Sequence, residues 1–299
     1  MKLRDYFYHL PKESIAQHPS KERDKCRLLV LDRSTGGITH RHFFEIGKHL
    51  QQGDLLVINN TKVIPARLVG YKPTEGKIEI LLIARIPGGE ERWKALINKR
   101  KGLLKGFKIH FKGSDTLVEI AEIREDHFEI TFIFQKGSDI KSFILQNGYA
   151  PLPPYIKRKH ENTAEDKEDI LNYQTVFAKY DGSIAAPTAG LHFTPELISE
   201  LKNSGVTFTE VTLHVGTGTF KPIKVENVED HKMEREYYEI SKTAADDINR
   251  AKTEGRRVIA VGTTAIRTLE SAYAKQGRIT EDSGWSELYI TEGGKFGVI

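Results

Sequence analysis

A change of pattern in the middle of the chain constrains the fold most. Five short β-type runs, separated by Gly, Asp and Lys turns, lie at residues 77–83, 93–97, 108–111, 117–123 and 128–134. Strands this short at this spacing are typical of a small antiparallel sheet or barrel. On both sides of this region, apolar runs alternate with helical patterns, as they do in α/β folds. The sequence therefore predicts an α/β protein in which residues 1–67 and 151–299 form one discontinuous domain and residues 68–150 form an inserted, antiparallel, β-barrel-like domain.

Three other stretches predict local structure. Residues 28–31, LLVL, indicate a buried strand, and the apolar run at 54–58 indicates a strand that is buried on both faces. Residues 157–169 are dense in charges of both signs. Such a composition is typical of an exposed, mobile loop, which is what we expect there.

Composition limits the classes of function. The chain has 299 residues, 38% of them hydrophobic, with a mean hydropathy of −0.44, which is usual for a soluble globular protein. The net charge of +4 permits a nucleic-acid partner without requiring one. The single cysteine, Cys26, excludes an internal disulfide and a cysteine-based zinc site within the chain. We expect a cytoplasmic protein with no signal peptide and no membrane span. We also expect a monomer.

Two small-residue loops flank a predicted helix–strand unit. The first loop, PTAGLHF at residues 187–193, precedes a helix that Thr194 should cap and Gly205 should end. A strand over residues 206–215 then runs into the loop GTGT at 216–219. In open α/β sheets, ligands bind beyond the carboxyl ends of strands and against helix N-termini. We therefore predict the active site at these two loops.

A third turn of the same character follows an apolar strand at residues 257–261. Gly262 and Thr263 open a helix, where backbone N–H groups and hydroxyls would converge on an anion. Simple N-capping explains the same residues equally well. Arg267 and Glu270 lie three residues apart on this helix, so they either pair on the surface or line the site.

Two groups of basic residues are candidates for phosphate contact. Lys62 and Arg67 follow the strand at 54–58 and would face whatever the sheet binds. The run Lys99-Arg100-Lys101 lies in a turn of the barrel region and could follow a phosphate backbone. For both groups, ordinary solvation of surface charges is the alternative.

Acid–base chemistry through two histidines is the reaction type that the residues permit. The sequence has no Walker A, HExxH or GxSxG motif, and the loop at 216–218 departs from a dinucleotide-binding fingerprint. His192 and His214 lie on the loops at the two ends of the helix–strand unit. A histidine beside a glycine-rich loop titrates near neutral pH and can move protons. A structural role is the alternative for either one alone, but the pair favours chemistry over binding.

Seven stretches of the chain together resemble one enzyme family. They are NNTKVIPARL at 59–68, PLPPYI at 151–156, YQTVFA at 173–178, AAPTAGLHFT at 185–194, TLHVGTGTF at 212–220, VGTTAIRTLE at 261–270 and SGW at 283–285. With these segments in family order, the chain resembles the S-adenosylmethionine:tRNA ribosyltransferase-isomerases of queuosine synthesis.

The resemblance implies a fold and a reaction. The fold is an α/β domain built from both ends of the chain, with a β-barrel domain inserted. The reaction transfers the ribosyl part of S-adenosylmethionine to the aminomethyl group of 7-aminomethyl-7-deazaguanine in a tRNA anticodon. It gives epoxyqueuosine-tRNA and releases adenine and methionine. The chemistry begins with removal of a C5′ proton next to the sulfonium and needs no metal, so S-adenosylmethionine is a co-substrate and tRNA is the partner.

Position and chemistry then suggest roles for the candidate residues. His192 or His214 would remove the C5′ proton, and the other would assist the departure of adenine. The methionine carboxylate or the ribose hydroxyls would be held by Gly216, Gly218, Thr219, Gly262 and Thr263. Pro187, Thr188, Gly190 and Arg267 would also bind the cofactor, with Arg267 meeting an anionic group of the cofactor or the tRNA. The tRNA would meet Lys62, Arg67, Lys99, Arg100 and Lys101.

The chain departs from the family pattern in two places. Where the family commonly has H-x-M-H-x-E, residues 231–236 read HKMERE, so Glu234 replaces a histidine and receives no role. The family continues beyond the Trp285 segment with a strand, an N-F-H-x-P-type loop and a helical tail. Here residues 291–294 read TEGG, without the expected proline, and the sequence ends at Ile299. We therefore expect a shortened sequence or a variant lacking part of the α/β domain. Two alternatives stay open: a non-catalytic RNA-binding member of the family, and an unrelated S-adenosylmethionine-dependent methyltransferase.

Overall fold

A computed structural model describes residues 1–135, 137–161 and 163–299. The chain divides into two compact units, one of Met1–Lys62, Pro154–Ile156 and Gln174–Ile299, the other of Val63–Pro153 and Lys157–Tyr173. The predicted domain bounds stay a prediction. They differ from these units mainly at Lys157–Tyr173, which the structure groups with the barrel region.

The regular elements follow one another as strands with a few helices between them. The strands are β1 (Arg27–Leu31), β2 (Ile38–His42), β3 (Leu55–Asn59), β4 (Thr61–Val63), β5 (Arg67–Tyr71), β6 (Lys77–Ile86), β7 (Arg92–Ile97), β8 (Lys108–Phe111), β9 (Ser114–Ile123), β10 (Phe128–Ile133), β11 (Gly148–Tyr149), β12 (Tyr180–Ser183), β13 (Thr207–Leu213), β14 (Glu236–Ile240), β15 (Val258–Ala260) and β16 (Asp282–Ser286). The α-helices are α1 (Ile140–Asn147), α2 (Ala164–Asn172), α3 (Pro195–Asn203), α4 (Lys242–Thr253) and α5 (Thr263–Gln276). Short 3-10 helices include Phe43–His49, Thr188–His192 and Thr217–Phe220.

The first unit contains a five-stranded sheet in the order β15-β3-β13-β14-β16. β15 and β13 run parallel to β3 on its two sides, and β14 and β16 continue the sheet antiparallel. β3 is buried at every position, which confirms the prediction from its uninterrupted apolar run. Because β15, β3 and β13 are parallel, their carboxyl ends lie at one edge of the sheet.

Helices cover both faces of this sheet. On one face, Val57 of β3 belongs to a buried cluster with Ile248 of α4 and Leu269 of α5. On the other face, Leu56 packs with Leu197 of α3. Successive residues of a strand point to opposite faces, so one apolar strand supplies both cores. Each fully buried side chain of this kind stabilises the fold by about 1.5–3 kcal/mol.

The predicted signals around α3 are confirmed. The Thr194 hydroxyl accepts a hydrogen bond from the Leu197 N–H at 3.1 Å, as an N-cap does, and the helix begins at Pro195. After the helix the chain turns at Gly205, whose φ of 87° is costly for any residue with a Cβ. These local signals fix where the PTAGLHF loop ends and where β13 begins.

The second unit contains a closed antiparallel barrel, which confirms the predicted β-barrel. Its strands follow the order β5-β6-β7-β10-β9-β8, and β5 pairs with β8 to close it. Alternate residues point inward, as Ile78 and Ile80 of β6 do with no exposed surface. At the closure, a Cβ on Gly70 would stand 2.4 Å from Cγ2 of Ile109, so only glycine allows the two strands to approach this closely.

Two predictions of local environment are wrong. β1 is a strand, but Leu29 and Leu31 are each 55% exposed because β1 pairs only with β2 in a two-stranded sheet. The exposed loop expected at 157–169 is wrong in part: residues 164–169 belong to α2, in which Asp166 and Asp169 are buried, whereas most other described residues of the stretch are exposed. Burial is possible because the charges pair: Nε of Arg158 donates to Asp169 at 2.7 Å.

Candidate active site

The three turns singled out in the sequence lie at one edge of the parallel strands. Gly262 follows β15, and His214 follows β13. A Cβ on Gly262 would stand 3.1 Å from the Cβ of Ala189, so the start of α5 lies against the PTAGLHF loop. The Ile184 N–H donates to the Val215 carbonyl at 3.0 Å, which joins the segment before that loop to the end of β13. The structure therefore brings the PTAGLHF, GTT and HVGTGT segments together.

The side chains of two asparagines connect the end of β3 to the end of β13 by hydrogen bonds. Asn59 donates from Nδ2 to the Leu213 carbonyl at 3.0 Å, and its Oδ1 accepts from the N–H groups of Leu213 and Thr61, each at 3.1 Å. The Oδ1 of Asn60 accepts from the Thr212 hydroxyl at 2.7 Å. These buried bonds fix the backbone of Thr61 directly beside the start of the HVGTGT loop.

His214 is held by a chain of hydroxyl groups. Its Nδ1 lies 2.8 Å from Oγ1 of Thr61, which lies 2.8 Å from Oγ of Ser183. That Ser183 oxygen accepts from the Val215 N–H at 2.8 Å. The imidazole also stacks on the ring of Tyr237, with centroids 6.1 Å apart and planes 18° apart. No role was predicted for Thr61 or Ser183, although Thr61 lies inside the NNTKVIPARL segment.

The surroundings of His214 favour its neutral form. Burial lowers the pKa of its imidazole below the usual 6.5, and the carboxylates of Glu239 and Asp181 act in the opposite direction without cancelling the effect. The backbone of Gly182, at a φ of 152°, passes so close that a Cβ there would stand 2.8 Å from the ring. The imidazole therefore has little room to turn.

His192 ends the 3-10 helix of the PTAGLHF loop and is half-buried. Its Nδ1 lies 3.3 Å from the Ala189 carbonyl oxygen, and its ring lies 5.1 Å from that of Phe43. Within the same loop Pro187 and Gly190 are buried while Thr188 is exposed. A Cβ on Gly190 would stand 3.1 Å from the Thr175 side chain, so this glycine also serves close packing behind the loop.

The glycine-rich loop after His214 is fastened by two glutamates of the following segment. The Gly216 N–H donates to Glu236 at 3.0 Å, and the Thr217 hydroxyl donates to Glu234 at 2.5 Å. Lys221 forms an ion pair with the same Glu234 carboxylate. A Cβ on Gly218 would stand 3.2 Å from the Cβ of Glu234, and Thr219 is exposed. Glu234, the departure from the family pattern, thus lies against the candidate site.

Arg267 is buried in an ion pair. It is 8% exposed, and its Nη1 donates to the carboxylate of Glu236, which is 2% exposed. Nε donates to the Leu288 carbonyl at 3.1 Å. Burial raises the pKa of the Glu236 carboxyl, and the Arg267 charge opposes that rise. With its donors occupied in this way, the guanidinium is poorly placed to meet a ligand anion.

Of the two alternatives for Arg267 and Glu270, a surface pair is wrong. Glu270 is 8% exposed and accepts the N–H groups of Gly297 and Val298 at 2.8 and 3.0 Å. Both side chains therefore point into the protein, where each has a separate partner.

The start of α5 carries a polar atom with no partner. Gly262 has a φ of 88° and Thr263 begins the helix. Oγ1 of Thr264 is buried, and no hydrogen-bond partner for it exists among the described residues. Buried polar groups are normally paired, so an unpaired hydroxyl beside a helix N-terminus suits a ligand oxygen.

The predicted RNA-contacting residues differ in how free they are. Lys62 lies 3.4 Å from Asp181 in an exposed pair. Arg67 is largely buried, donates to the Leu152 carbonyl at 3.2 Å and has a pKa that burial lowers. Arg100 lies over the Phe128 ring at 4.8 Å, which gives it a local structural role.

The two lysines beside Arg100 are the more accessible cations. Lys99 and Lys101 are both exposed. The ammonium of Lys99 donates to the Lys77 carbonyl at 3.3 Å, a contact that a phosphate could displace. These two side chains are therefore better placed for a surface ligand than Arg67 is.

A cavity of about 330 Å³ lies in the second unit. Tyr71, Lys112, Tyr149 and His160 are among its lining, and none of the described residues that line it is a predicted site residue. It is consequently no part of the candidate active site.

The described residues contain neither a cluster of metal ligands nor a membrane-spanning helix. No group of three or more His, Cys, Asp or Glu within them is placed to hold a metal ion. No helix in residues 1–135, 137–161 or 163–299 is long and apolar enough to cross a bilayer.

Comparison with known proteins assigns the family. The family model described as "Queuosine biosynthesis protein" matches residues 3–299. The chain belongs to this family. It is 49% identical over 305 residues to the S-adenosylmethionine:tRNA ribosyltransferase-isomerase of Desulfitobacterium hafniense. It is 50% identical over 299 residues to the protein of the same name from Carboxydothermus hydrogenoformans. Each alignment covers 100% of this chain and 85% of the relative.

A solved structure is also similar to this queuosine biosynthesis family member. The crystal structure of S-adenosylmethionine tRNA ribosyltransferase from Thermotoga maritima shares 32% identity, with 98% of this chain and 81% of that chain covered, at a TM-score of 0.47. The resemblance and the enzyme class predicted from the sequence are confirmed by the names of the relatives.

Proposed function

We propose that this chain transfers and isomerises the ribosyl part of S-adenosylmethionine onto 7-aminomethyl-7-deazaguanine in tRNA. The products are epoxyqueuosine-tRNA, adenine and methionine. The names of the relatives support the co-substrate and the tRNA partner. The observation that carries the proposal is the meeting of the PTAGLHF, HVGTGT and GTT segments at one edge of the parallel strands.

The chemistry that this site would perform begins at C5′ of the sulfonium nucleoside. One of the two histidines takes the C5′ proton, and the electron pair stays on the carbon next to the positive sulfur. That pair forms a C4′=C5′ double bond as the C4′–O4′ bond breaks, and O4′ becomes a C1′ carbonyl oxygen as adenine leaves with the electron pair of its glycosidic bond. The tRNA amine then adds at C4′, β to the sulfonium, and loses a proton. The resulting C5′ ylide attacks the C1′ carbonyl to close the ring, and the new C1′ oxyanion displaces methionine from C5′ to form the epoxide.

The binding residues follow from the three turns. The N-terminus of α5, with Gly262, Thr263 and the unpaired Thr264 hydroxyl, would receive the methionine carboxylate. The exposed Thr188 and Thr219 would reach ribose hydroxyls. Pro187, Gly190, Gly216 and Gly218 would shape the loops. Arg267 is not among the proposed ligand-binding residues, because its guanidinium donates to the Glu236 carboxylate.

The test is an assay of the released products. The full chain is incubated with S-adenosylmethionine and tRNA that carries the aminomethyl base, and adenine, methionine and S-adenosylhomocysteine are measured. Release of adenine and methionine together supports the proposal. Formation of S-adenosylhomocysteine would indicate a methyltransferase, and binding of tRNA without release of either product would indicate a non-catalytic member.

Histidine variants connect the activity to the site. His192→Gln and His214→Gln should each lower turnover by about 100-fold or more, since general acid–base groups contribute about 10²–10⁴-fold. His9→Gln is the matched control, because His9 is an exposed histidine of the N-terminal segment. Wild-type turnover in both site variants would place the chemistry elsewhere.

The tRNA surface is tested by salt dependence. Lys99→Gln/Lys101→Gln should weaken tRNA binding and lower the slope of log K against log salt by about one for each phosphate that is no longer neutralised. Lys105→Gln is a control from the same loop, since Lys105 is already paired with Glu122 at 2.5 Å. An unchanged salt slope would remove these lysines from the interface.

A further inference from the structure

The hydroxyl chain behind His214 has only one arrangement of hydrogens that satisfies every member. The Val215 N–H can only donate, so the Ser183 oxygen accepts from it. Ser183 has no exposed surface, so its own hydrogen needs a protein acceptor. Its only other hydrogen-bond neighbour in the described part of the chain is Oγ1 of Thr61 at 2.8 Å. Ser183 therefore donates to Thr61.

Thr61 then has one hydrogen left and one place to put it. It too has no exposed surface, and its other neighbour is Nδ1 of His214 at 2.8 Å. Thr61 donates to that nitrogen, so Nδ1 carries no proton and the neutral imidazole carries its proton on Nε2. The reverse direction would leave the buried Ser183 hydrogen without an acceptor, which disfavours that tautomer by about tenfold or more.

His192 has the opposite arrangement. Its Nδ1 faces the Ala189 carbonyl oxygen at 3.3 Å, and a carbonyl oxygen can only accept. The bond therefore requires the proton on Nδ1, which leaves the lone pair of the neutral ring on Nε2. The two imidazoles thus differ at Nε2, where His192 has a lone pair and His214 has an N–H.

We propose that Thr61 and Ser183 are positioning residues that lock His214 as an Nε2–H hydrogen-bond donor, and that His192 is the base. The tautomers stand on the protein's own contacts, whereas the catalytic roles rest on the proposed function. The step is balanced as follows: the C5′–H bond breaks, the proton goes to Nε2 of His192, and the electron pair stays on C5′. His214 donates a hydrogen bond to the leaving adenine and keeps its own proton, because a neutral imidazole is a very weak acid. Adenine leaves with the electron pair of its glycosidic bond and takes the proton that it needs from solvent.

Charged groups near His214 are consistent with this role. The acidic groups acting on its ring are Glu239 and Asp181, and both would favour an imidazolium. Burial outweighs them and keeps the pKa below its ordinary value. The donor form that the hydroxyl chain selects is therefore the form present at neutral pH.

The tautomers are tested by ¹⁵N NMR of the full chain, which needs no substrate. The His214 signals are assigned by their loss in His214→Gln. At neutral pH we expect an unprotonated Nδ1 and a protonated Nε2 for His214, and the reverse for His192. A protonated Nδ1 on His214 in the wild type would overturn the proposal.

Variants of the hydroxyl chain sharpen the test. Ser183→Ala removes the group that fixes the direction of the Thr61 hydroxyl, so His214 should become a mixture of both tautomers. Thr61→Ser keeps the hydroxyl and should keep the wild-type tautomer. The signals of His192, which lies in the same unit and contacts the Phe43 ring, report whether each variant stays folded. A folded Ser183→Ala chain with an unchanged His214 tautomer would show that the lock does not exist.

The catalytic roles are tested by exchange at C5′. In D₂O with S-adenosylmethionine, deuterium should enter C5′ in the wild type and in His214→Gln, and His192→Gln should slow this exchange by about 100-fold or more. Exchange that depends on His214 instead would overturn the assignment. If the wild type neither exchanges nor releases adenine, the proposed function and these roles fail together, while the NMR spectrum still decides the tautomers.

Discussion

Arg267→Met should lower the free energy of unfolding of the α/β unit, and not only weaken a binding site. Glu236 is 2% exposed, and its ion pair with Arg267 is buried on both sides. Removing one member of a buried pair leaves an uncompensated charge and costs about 3–5 kcal/mol. Removal of the bonds to the Leu288 and Ser286 carbonyls acts in the same direction. The free energy of unfolding is measured by urea denaturation at 25 °C.

Two companion variants isolate the buried charge. Glu236→Gln/Arg267→Met should recover a large part of the loss, because the neutral amide no longer needs a cation and can still accept the Gly216 N–H. Arg250→Met removes a comparable arginine from the surface pair with Asp247, and should cost less than about 1 kcal/mol.

The loss of unfolding free energy in Arg267→Met should also depend on pH, and it should be smaller at low pH. Burial raises the pKa of the Glu236 carboxyl above 4.5 even with Arg267 present, and the rise should be larger without it. A carboxyl with a raised folded-state pKa costs nothing below its unfolded pKa and destabilises as the pH rises above it. The Arg267→Met deficit should therefore shrink as the pH falls towards 4.5. If the variant keeps wild-type stability and loses only affinity for S-adenosylmethionine, Arg267 binds the ligand and this reasoning is refuted.

Three further perturbations follow from the structure. Gly70→Ala should lower the stability of the barrel by about 1–3 kcal/mol, because the new Cβ overlaps Ile109. Gly89→Ala, which has open space around it, should cause no loss, so equal urea midpoints for the two variants would contradict this prediction. Thr194→Ala should cost about 1 kcal/mol because it removes the cap on α3, and Thr194→Ser should restore it; a loss in both variants would point to packing instead. Burial lowers the folded-state pKa of His214, so this residue lowers the free energy of unfolding as the pH falls below 6.5. His214→Gln should therefore flatten the dependence of urea-measured stability on pH below 6.5, and a steeper dependence would refute the burial argument.

The sequence predicted most of the fold because its signals are local. The apolar run of β3, the Thr194 cap and the short strands of the barrel each depend on neighbours in the chain. The errors came from partners distant in the chain. Leu29 and Leu31 read as core residues, but β1 pairs only with β2 and stays half exposed. Residues 157–169 read as solvated because their pairing could not be known from composition.

The sequence predicted which loops form the candidate site, and that site stays a prediction; it did not predict the contacts that support these loops. Glycine-rich loops and histidines after predicted strands are visible in a sequence, and parallel strands bring such loops to one edge. Whether a charged residue faces that edge or the interior depends on the rotation of its helix and on partners far along the chain. Arg267 is an example: it was predicted to contact a ligand, but it forms a buried ion pair with Glu236, which is 31 residues away in the chain.

The NNTKVIPARL segment was singled out for its cations, but the structure shows well-defined contacts for other residues in it. Its cations Lys62 and Arg67 drew attention as phosphate contacts, yet its asparagines join β3 to β13 and place the Thr61 hydroxyl against His214. The side chains of Asn59 and Thr61 are buried and hydrogen-bond to protein atoms. Changes there should alter the proton position on His214 without weakening the grip on a ligand. A variant of this segment that raises KM at unchanged kcat would therefore argue for direct contact, and one that lowers kcat at unchanged KM would argue for control through the imidazole.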